Sequence, residues 1–540
     1  MLALDTEDNS KGGTRIINFF DGEKHYTFTG KTCRVKAWDW LAEHSKRGRE
    51  EVWAVNAEYD LINLFGYEWI GKLVTMQYVS SGLMCAFYRE GPITFFDTLR
   101  HWAKSVSEMG EYIGLPKLKA DFESITYCRR DTEIVYFFVQ RMLSIYESLD
   151  LRLRSTLPAM AMQLFKKFYR RQFPRFEENE KALFHRGYYG GRNEVYRFGS
   201  IDGPINHYDI NSLFPTVMLS SVYPSLRKWS YVKSPDFDKE GIIEGWVTLP
   251  YCYYPCLPVR EEGEIVYPYG GFFGAWTYPE IRQFLLDGGR IIKIKNAIEF
   301  SDTERPFSAF VEFCYGMRQQ SGNKLENLFW KLMLNSLYGK FAQSKGVTSI
   351  YYSDKLRSVV EKSIPSDSSQ SNVIWSAYVT AYARLYLLKH LRSCSEVFYT
   401  DTDSLFTRDT MTTGSELGAF KLEGIYSRGE FSGNKLYIVD SIVRAKGVPN
   451  LLKDEKGNTV FDSEGNPVSP ARDFIRTGRA IFRRPARYRE ARKTFARANY
   501  WYEVEKRRQK VYTKRQLLKD GKTEPWRYGE YKSWVDNNGR

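Results

Sequence analysis

The sequence predicts a multi-domain protein of mixed α/β and α+β architecture, and three observations predict it. With 540 residues, the chain exceeds what one core organises, since single cores stop growing at roughly 250–300 residues. Strand-like runs at Leu2 to Leu4, Val52 to Val55 and Val397 to Tyr399 stand among helix-like runs at Leu325 to Leu337 and Ile374 to Leu391. Their order is not the regular alternation of a single barrel, so separate α/β and α+β units are expected. The charge is also uneven: residues 471–540 hold 21 Lys and Arg against 8 Asp and Glu, a net of +13 out of the +14 of the whole chain.

The basic segment interleaves cations with aromatics, at Phe482-Arg-Arg484, Tyr488-Arg489 and Tyr500-Trp-Tyr502 near Lys506, Arg507 and Arg508. That pattern suits a surface that neutralises phosphates while packing on a core, with a solvated basic face as the alternative. No apolar run approaches the roughly 20 residues that span a bilayer. The start, Met1 to Asp5, has no basic and apolar leader pattern, so it reads as a folded strand and the protein is expected in the cytosol. The seven cysteines, Cys33, Cys85, Cys128, Cys252, Cys256, Cys314 and Cys394, are scattered without C-x-x-C or zinc spacing, and read as free thiols. Turn chemistry at Ser363 to Ser371, Asp454 to Thr459 and Asp462 to Pro467 marks hairpin tips or domain edges. There is no repeat and no long stretch of low complexity.

Asp5 and Glu7 lie two apart on a strand-like segment, so both point to one face of a sheet. Two like charges side by side are costly unless a cation shares them. Asn56-Ala-Glu-Tyr59-Asp60 follows the run ending at Val55, and Tyr127-Cys-Arg-Arg-Asp131 opens a helix-like stretch. Any one of these acids alone is more often structural than catalytic. In this order, D-x-E, N-x-x-[FY]-D and Y-x-x-x-D resemble the three motifs of the proofreading 3′→5′ exonucleases attached to family B DNA polymerases. The resemblance implies an RNase-H-like sheet gathering Asp5, Glu7, Asp60 and Asp131 around two divalent ions, with Asp5, Glu7 and Asp131 as metal ligands. It implies that Tyr127 positions the attacking water, and that Asn56, Tyr59, Thr98 and Leu99 grip a frayed single strand.

Three further motifs follow: Asp209-Ile-Asn-Ser-Leu213-Phe214-Pro215, Lys331-Leu-Met-Leu-Asn335-Ser336-Leu-Tyr338-Gly339, and Tyr399-Thr-Asp401-Thr402-Asp403-Ser404. They resemble D-x-x-S-L-Y-P, K-x-x-x-N-S-x-Y-G and Y-x-D-T-D-S of family B polymerases. In-line phosphoryl transfer needs its charge neutralised while a hydroxyl is deprotonated and pyrophosphate leaves. The resemblance implies that Asp209 and Asp403 hold two Mg²⁺, with Mn²⁺ as a substitute, and that Asp401 is an auxiliary acid. Lys331, Arg318 and Lys324 would contact the triphosphate. Leu213, Asn335 and Tyr338 would line the nascent base pair, and Ser336, Gly339 and Thr402 would touch DNA. Phe214 stands where the family more often has Tyr; the ring that excludes a ribose 2′-OH is kept and its hydroxyl is lost. Tyr188-Tyr-Gly190-Gly191 resembles a template-contacting Y-x-G-G element, and Lys435-Leu-Tyr437 a primer-holding K-x-Y element.

Asp209 and Lys331 are 122 residues apart, and Gly339 and Asp401 are 62 apart, which leaves room for two insertions. The whole chain resembles the protein-primed replicative polymerases of small linear-DNA bacteriophages, plasmids and related mobile elements. That implies an exonuclease domain over 1–145, a linker and first part of a palm over 146–225, and a terminal-protein-docking insertion over 226–305. Fingers over 306–343, a second insertion for strand displacement and processivity over 344–375, the rest of the palm over 376–470 and a basic thumb over 471–540 complete a right hand. The implied partners of this monomer are primer-template DNA, dNTPs and a terminal protein as primer. The alternatives are a family B polymerase that extends ordinary primers or starts without one, a nuclease alone, and a non-catalytic DNA-binding accessory. Clusters of acids would repel phosphates in that last case unless metals intervened.

Overall fold

In the computed structural model, described over residues 1–540 except 9–12, 80–81, 120, 122, 344–345, 365–371, 455–458, 486, 495–500, 509–511 and 539–540, two large sheets organise the chain. The first has nine strands in the order Ser358–Ile364, Val347–Ser353, Val74–Val79, Gly82–Tyr88, Ile93–Asp97, Glu50–Ala54, Leu2–Asp8, Thr14–Phe20, His25–Thr29. Leu2–Asp8 and Glu50–Ala54 pair in parallel, as do Glu50–Ala54 and Ile93–Asp97. Strand alternation divides their side chains between two cores. Leu2, Leu4, Val52 and Ala54 pack with Ala37, Leu41, Leu61 and Leu64 of helices Cys33–Ser45 and Ala57–Phe65. Ala3, Trp53 and Phe96 point the other way, against Ile134, Val135 and Phe138 of helix Ile125–Ser148. That phase places Asp5 and Glu7 on the side of the long helix.

The second sheet runs Ile442–Ala445, Leu436–Val439, Phe420–Gly433, Gly199–Ile210, Ser404–Thr407, Val397–Asp401, Asn193–Val195. Strand Gly199–Ile210 is central, with Asp209 opposite Ser404 on one side and Lys421 on the other. Helices Leu213–Ser220 and Val373–Ser393 pack on this sheet's side of the main core with the helix pair Ser308–Gln320 and Lys324–Phe341. The pair is separated by a tight connection because Asn323 caps the second helix, its side chain accepting the Glu326 N–H at 2.9 Å. Residues 229–300 form a four-stranded antiparallel sheet with helix Tyr278–Leu286 against it.

Two segments pack across the bounds read from the sequence. The hairpin Val347–Ser353 and Ser358–Ile364 extends the N-terminal sheet, with Thr348, Ser349 and Ile350 paired with Tyr78, Gln77 and Met76. Buried Ile350 joins the N-terminal core. The basic segment 471–540 is likewise two units. Helix Pro470–Thr477 and the hairpin Arg479–Pro485 with Trp501–Arg507 share a small core built on Phe474, Ile475 and Phe482. Trp526, Tyr531 and Val535 instead bury themselves against Val247, Phe272 and Trp276 of the 229–300 sheet. Apolar demand overrides the uniform charge of the segment. Tyr500 lies outside the described residues.

Candidate active sites

The N-terminal acids converge from three elements. Asp5 and Glu7 come from strand Leu2–Asp8, Asp60 from helix Ala57–Phe65 and Asp131 from helix Ile125–Ser148. Thr6, on the opposite side of the strand, donates its hydroxyl to Asp60 Oδ1 at 2.8 Å, and Cys128 Sγ reaches the Asp5 carbonyl at 3.5 Å. Asp5 Oδ2 and Asp131 Oδ1 are buried with no hydrogen-bond partner among the described residues. Burial, followed by the charge of Asp131, raises Asp5 to about 7. Burial, then Asp5, Asp131 and Asp60, raises Glu7 to about 10. Asp60 is raised by burial and by Asp5, and Asp131 by burial. This is the electrostatic condition of acids collected for a cation that they lack among themselves.

Sequence reasoning missed Lys117. Its ammonium pairs with Asp131 Oδ2 and lies 4.7 Å from the centroid of the Tyr127 ring. It lies 14 residues from Asp131, outside every motif, and only the loop preceding the long helix brings it in. Of the residues implied to grip a strand, Asn56 opens helix Ala57–Phe65 with φ 60° and donates its N–H to Asp97 Oδ1 at 3.0 Å. Tyr59 shares a hydrogen bond with Asp8, which burial raises to about 6. Leu99 lines a cavity of about 780 Å³ together with Ser336, Gly339 and Lys340 of the helix Lys324–Phe341. Thr98 is fully buried beneath the turn that Asp97 caps.

The second site lies on the seven-stranded sheet. Asp209 ends strand Gly199–Ile210, and Asp403 sits in the turn between Val397–Asp401 and Ser404–Thr407. The turn is tight: Asp403 N–H donates to the Asp401 carbonyl at 2.8 Å, Ile210 N–H to the Asp403 carbonyl at 2.8 Å, and Thr402 takes φ 68°. Burial, then Asp403 and Glu423, raises Asp209 to about 7, against the pull of Lys331 and Lys421. Burial and Asp401 raise Asp403. Asp401 is held apart from that pair, accepting from Asn193 Nδ2 at 2.8 Å and lying 3.4 Å from Lys435 Nζ. Tyr437, two residues on, packs its ring against Tyr399 and Phe406. His207 Nε2 and Ser404 Oγ share a hydrogen bond of 2.9 Å, with His207 stacked on Phe406.

Phe214 and Tyr338 stack at 4.1 Å between centroids, so two residues from different motifs form one aromatic wall. Leu213 is buried beneath it. On the helix pair, Lys331 and Lys324 are exposed, while Arg318 Nη1 reaches Ser212 Oγ at 3.4 Å. Asn335 and Ser336 turn their side chains back to the carbonyls of Lys331 and Met333. Gly191 packs on the Thr402 turn so closely that a Cβ would stand 2.6 Å from Thr402 Cγ2. Gly190 is exposed, and the Tyr188 carbonyl accepts from Arg260 Nη2 at 2.7 Å. Lys506 Nζ donates to the Lys446 carbonyl at 2.8 Å, and Arg508 Nη2 to the Ile475 carbonyl at 2.8 Å, so both satisfy local backbone acceptors. Arg507 is exposed beside Glu505 at 2.6 Å, Arg508 is exposed while its guanidinium holds that carbonyl, and Lys506 is half-buried.

Among the described residues, no three His, Cys, Asp or Glu side chains are arranged to close on a single ion as they stand. The fit to a divalent cation is chemical: both clusters offer carboxylate oxygens, the donors that hard cations take, and the first leaves two such oxygens buried and unpartnered. No described helix is long and apolar enough to cross a membrane.

Comparison with known proteins agrees with this layout. The chain is 27% identical over 349 residues to the DNA-directed DNA polymerase of Enterobacteria phage PRD1, covering 58% of this chain and 61% of that one. It is 28% identical over 396 residues to the primer-independent DNA polymerase PolB of Escherichia coli, covering 58% of this chain and 44% of that one. The chain thus spans less than two thirds of the length of these relatives. Its fold matches phi29 DNA polymerase, solved with primer-template DNA and incoming nucleotide, with a TM-score of 0.67 at 17% identity over 83% of this chain and 89% of that one. The profile of DNA polymerase type B, organellar and viral, matches residues 115–406, more than half of the chain, and spans the motifs at Asp209, Lys331 and Asp403. The chain belongs to this family, the organellar and viral DNA polymerases of type B.

Proposed function

We propose that the chain is a template-directed DNA polymerase with its own 3′→5′ proofreading exonuclease, working in replication from a protein primer. The observation that carries the polymerase reading is Asp209, at the end of its strand, set beside the turn that holds Asp403: burial and the Asp403 charge raise Asp209, burial and Asp401 raise Asp403, and the Phe214–Tyr338 stack supplies an aromatic wall from the two flanking motifs. Asp209 and Asp403 would hold the polymerase cations and Asp5, Glu7 and Asp131 the exonuclease cations. Bound Mg²⁺ or Mn²⁺ supplies charge neutralisation at the attacking and leaving oxygens in either site.

In nucleotide addition the primer 3′-oxygen bonds to the α-phosphorus, the bond to the departing pyrophosphate breaks, and the hydroxyl proton leaves to solvent. Lys331 and Arg318 neutralise the triphosphate, and Phe214 fills the space of a 2′-OH. In degradation, a water oxygen bonds to the terminal phosphorus and the 3′-oxygen of the next nucleotide leaves. The hydroxyl of Tyr127, beside Lys117 and Asp131, orients that water. Docking of a priming protein on the 229–300 region is supported by its exposed aromatic and aliphatic face, where Trp246 is 52% and Ile292 63% exposed.

The similarity to a primer-independent enzyme makes start from a free nucleotide the second reading. One experiment separates them: the purified chain, Mg²⁺ and labelled dNTPs are incubated with primed and with unprimed linear template, with and without a crude extract of the source. Template-dependent label on an oligonucleotide primer establishes the polymerase, and no incorporation anywhere overturns it. Label joined to protein on the unprimed template, and only with extract, supports protein priming. Label in free DNA supports independent start.

A further inference from the structure

The turn Asp401 to Asp403 lies near the edge of its sheet. Its outer neighbour is the three-residue strand Asn193–Val195, paired Asp401 with Asn193 and Thr400 with Glu194. So short an edge strand has few ladder bonds of its own, and what fixes it comes from elsewhere. Thr402 N–H donates to the Arg192 carbonyl at 2.7 Å, and Asn193 Nδ2 holds Asp401.

Behind this strand is a fully buried charge cluster that none of the catalytic motifs contains. Arg192, Glu194 and Arg515 are each at most 1% exposed. Arg192 donates to Glu194 at 2.5 Å and to the Pro255 carbonyl at 2.8 Å, with its guanidinium 4.1 Å from the Tyr267 ring. Arg515 lies 3.6 Å from Glu194, donates twice to the Tyr253 carbonyl at 3.1 Å, and is sandwiched between Tyr196 and Tyr253. Its neighbour Lys514 donates to the Asn193 carbonyl at 3.1 Å, and Thr523 Oγ1 to the Val195 carbonyl at 2.9 Å. The C-terminal segment therefore supplies donors all along the strand that braces the acidic turn.

We propose that residues 512–526 are a strap that positions the polymerase turn, with Arg515 and Lys514 acting as positioning residues through the strand Asn193–Val195. The physical reason is one of geometry and charge. A buried Glu194 needs both guanidinium groups for compensation, and only the second arrives from the C terminus. Loss of Arg515 lets the edge strand shift, and Asp401 to Asp403 move with it. The cluster also reaches the carbonyls of Tyr253 and Pro255, so the turn is braced from the 229–300 unit as well as from the strap. None of this touches the N-terminal acids, which lie on the other sheet.

The inference rests on the polymerase reading, and wild-type extension of a primed template is its control: no extension by the wild type would fail that reading itself. The variants are Arg515→Met, which keeps the stem and removes the charge, Arg515→Lys and Lys514→Met. Measured for each are kcat and KM for dNTP addition, the Mg²⁺ concentration for half-maximal addition, 3′→5′ degradation of a single strand and the melting temperature. For Arg515→Met the expected result is a fall in kcat of about tenfold or more, the scale of loss when a catalytic group is displaced by a fraction of an ångström. KM for dNTP stays within about twofold. The Mg²⁺ requirement of addition rises severalfold while that of degradation stays put, and Arg515→Lys recovers part of the rate. Lys514→Met, which leaves the buried cluster intact, shows the same pattern more weakly and decides the matter if Arg515→Met does not fold. An unchanged kcat and Mg²⁺ requirement in the folded variants overturns the proposal, as does a parallel loss of both activities that follows the melting temperature.

Discussion

The acids of the N-terminal sheet make a prediction about stability that needs no substrate. Asp5 is raised to about 7 and Glu7 to about 10 from ordinary carboxylate values of 3.8 and 4.5. Across neutral pH the folded protein therefore holds protons that the unfolded chain has released, and stability falls as pH rises. Each contribution is absent below about pH 4, where both states are protonated, and the Asp5 penalty is complete only above about pH 7. Between about pH 6 and about pH 8, the Asp5 carboxyl costs about 1.4 kcal/mol, and Glu7, which the fold keeps protonated throughout that range, costs about 2.7 kcal/mol more. For a unit of roughly 150 residues the Asp5 share alone lowers the melting temperature by about 3–6 °C, and Glu7 adds to it. The assay is thermal unfolding of the metal-free protein followed across this pH range, then repeated with Ca²⁺ and with Asp5→Asn. Divalent cation should flatten the slope by occupying the acids, and Asp5→Asn should remove the Asp5 share. A melting temperature that rises with pH in the metal-free protein, or a slope indifferent to both cation and Asp5→Asn, would refute the reasoning.

Three further outcomes are expected. Phe214→Val opens the aromatic wall against Tyr338, and ribonucleotide incorporation should rise by about tenfold or more with little change on deoxynucleotides, read by paired single-nucleotide kinetics. Arg507→Gln should lower the slope of log affinity against log salt for primer-template DNA by at most about 1, because Lys506 and Arg508 are engaged with backbone carbonyls; a drop near 3 for the triple Gln variant would place all three on phosphates. Arg384, buried on helix Val373–Ser393, donates to Glu280 at 2.7 Å and to the Tyr189 and Gly190 carbonyls. Arg384→Met should destabilise by about 3–5 kcal/mol in a denaturant titration, with Arg384→Met/Glu280→Met recovering much of it, since the single change strands a buried carboxylate.

What was legible in the sequence follows the range of the interactions. Asp5 with Glu7, and Asp401 with Asp403, are fixed by strand period and by one tight turn, so their grouping can be read from adjacent letters. The order of the motifs likewise announced two separate sheets with acids on each. Lys117 was illegible because a lone lysine in a loop carries no period. Arg192, Glu194 and Arg515 were illegible because the bridge between them spans more than 300 positions and depends on three units packing together. The C-terminal segment misled for a related reason: its net charge pointed to one DNA-facing unit, whereas Trp526, Tyr531 and Val535 decide where its last part goes. The hairpin at 347–364 was read as an insertion by spacing, and only the register with Val74–Val79 shows which sheet it completes.

The central claim is that two acidic sites on two sheets do two different jobs. The most direct measurement sets Asp403→Asn beside Asp5→Asn on the same labelled primer-template, with Mg²⁺ and dNTPs present for addition and dNTPs withheld for degradation. Asp403→Asn should lose nucleotide addition and still shorten the primer from its 3′ end, whereas Asp5→Asn should extend the primer and fail to shorten it. If either variant, folded as judged by its melting curve, loses both activities or keeps both, the assignment of the two sites is wrong.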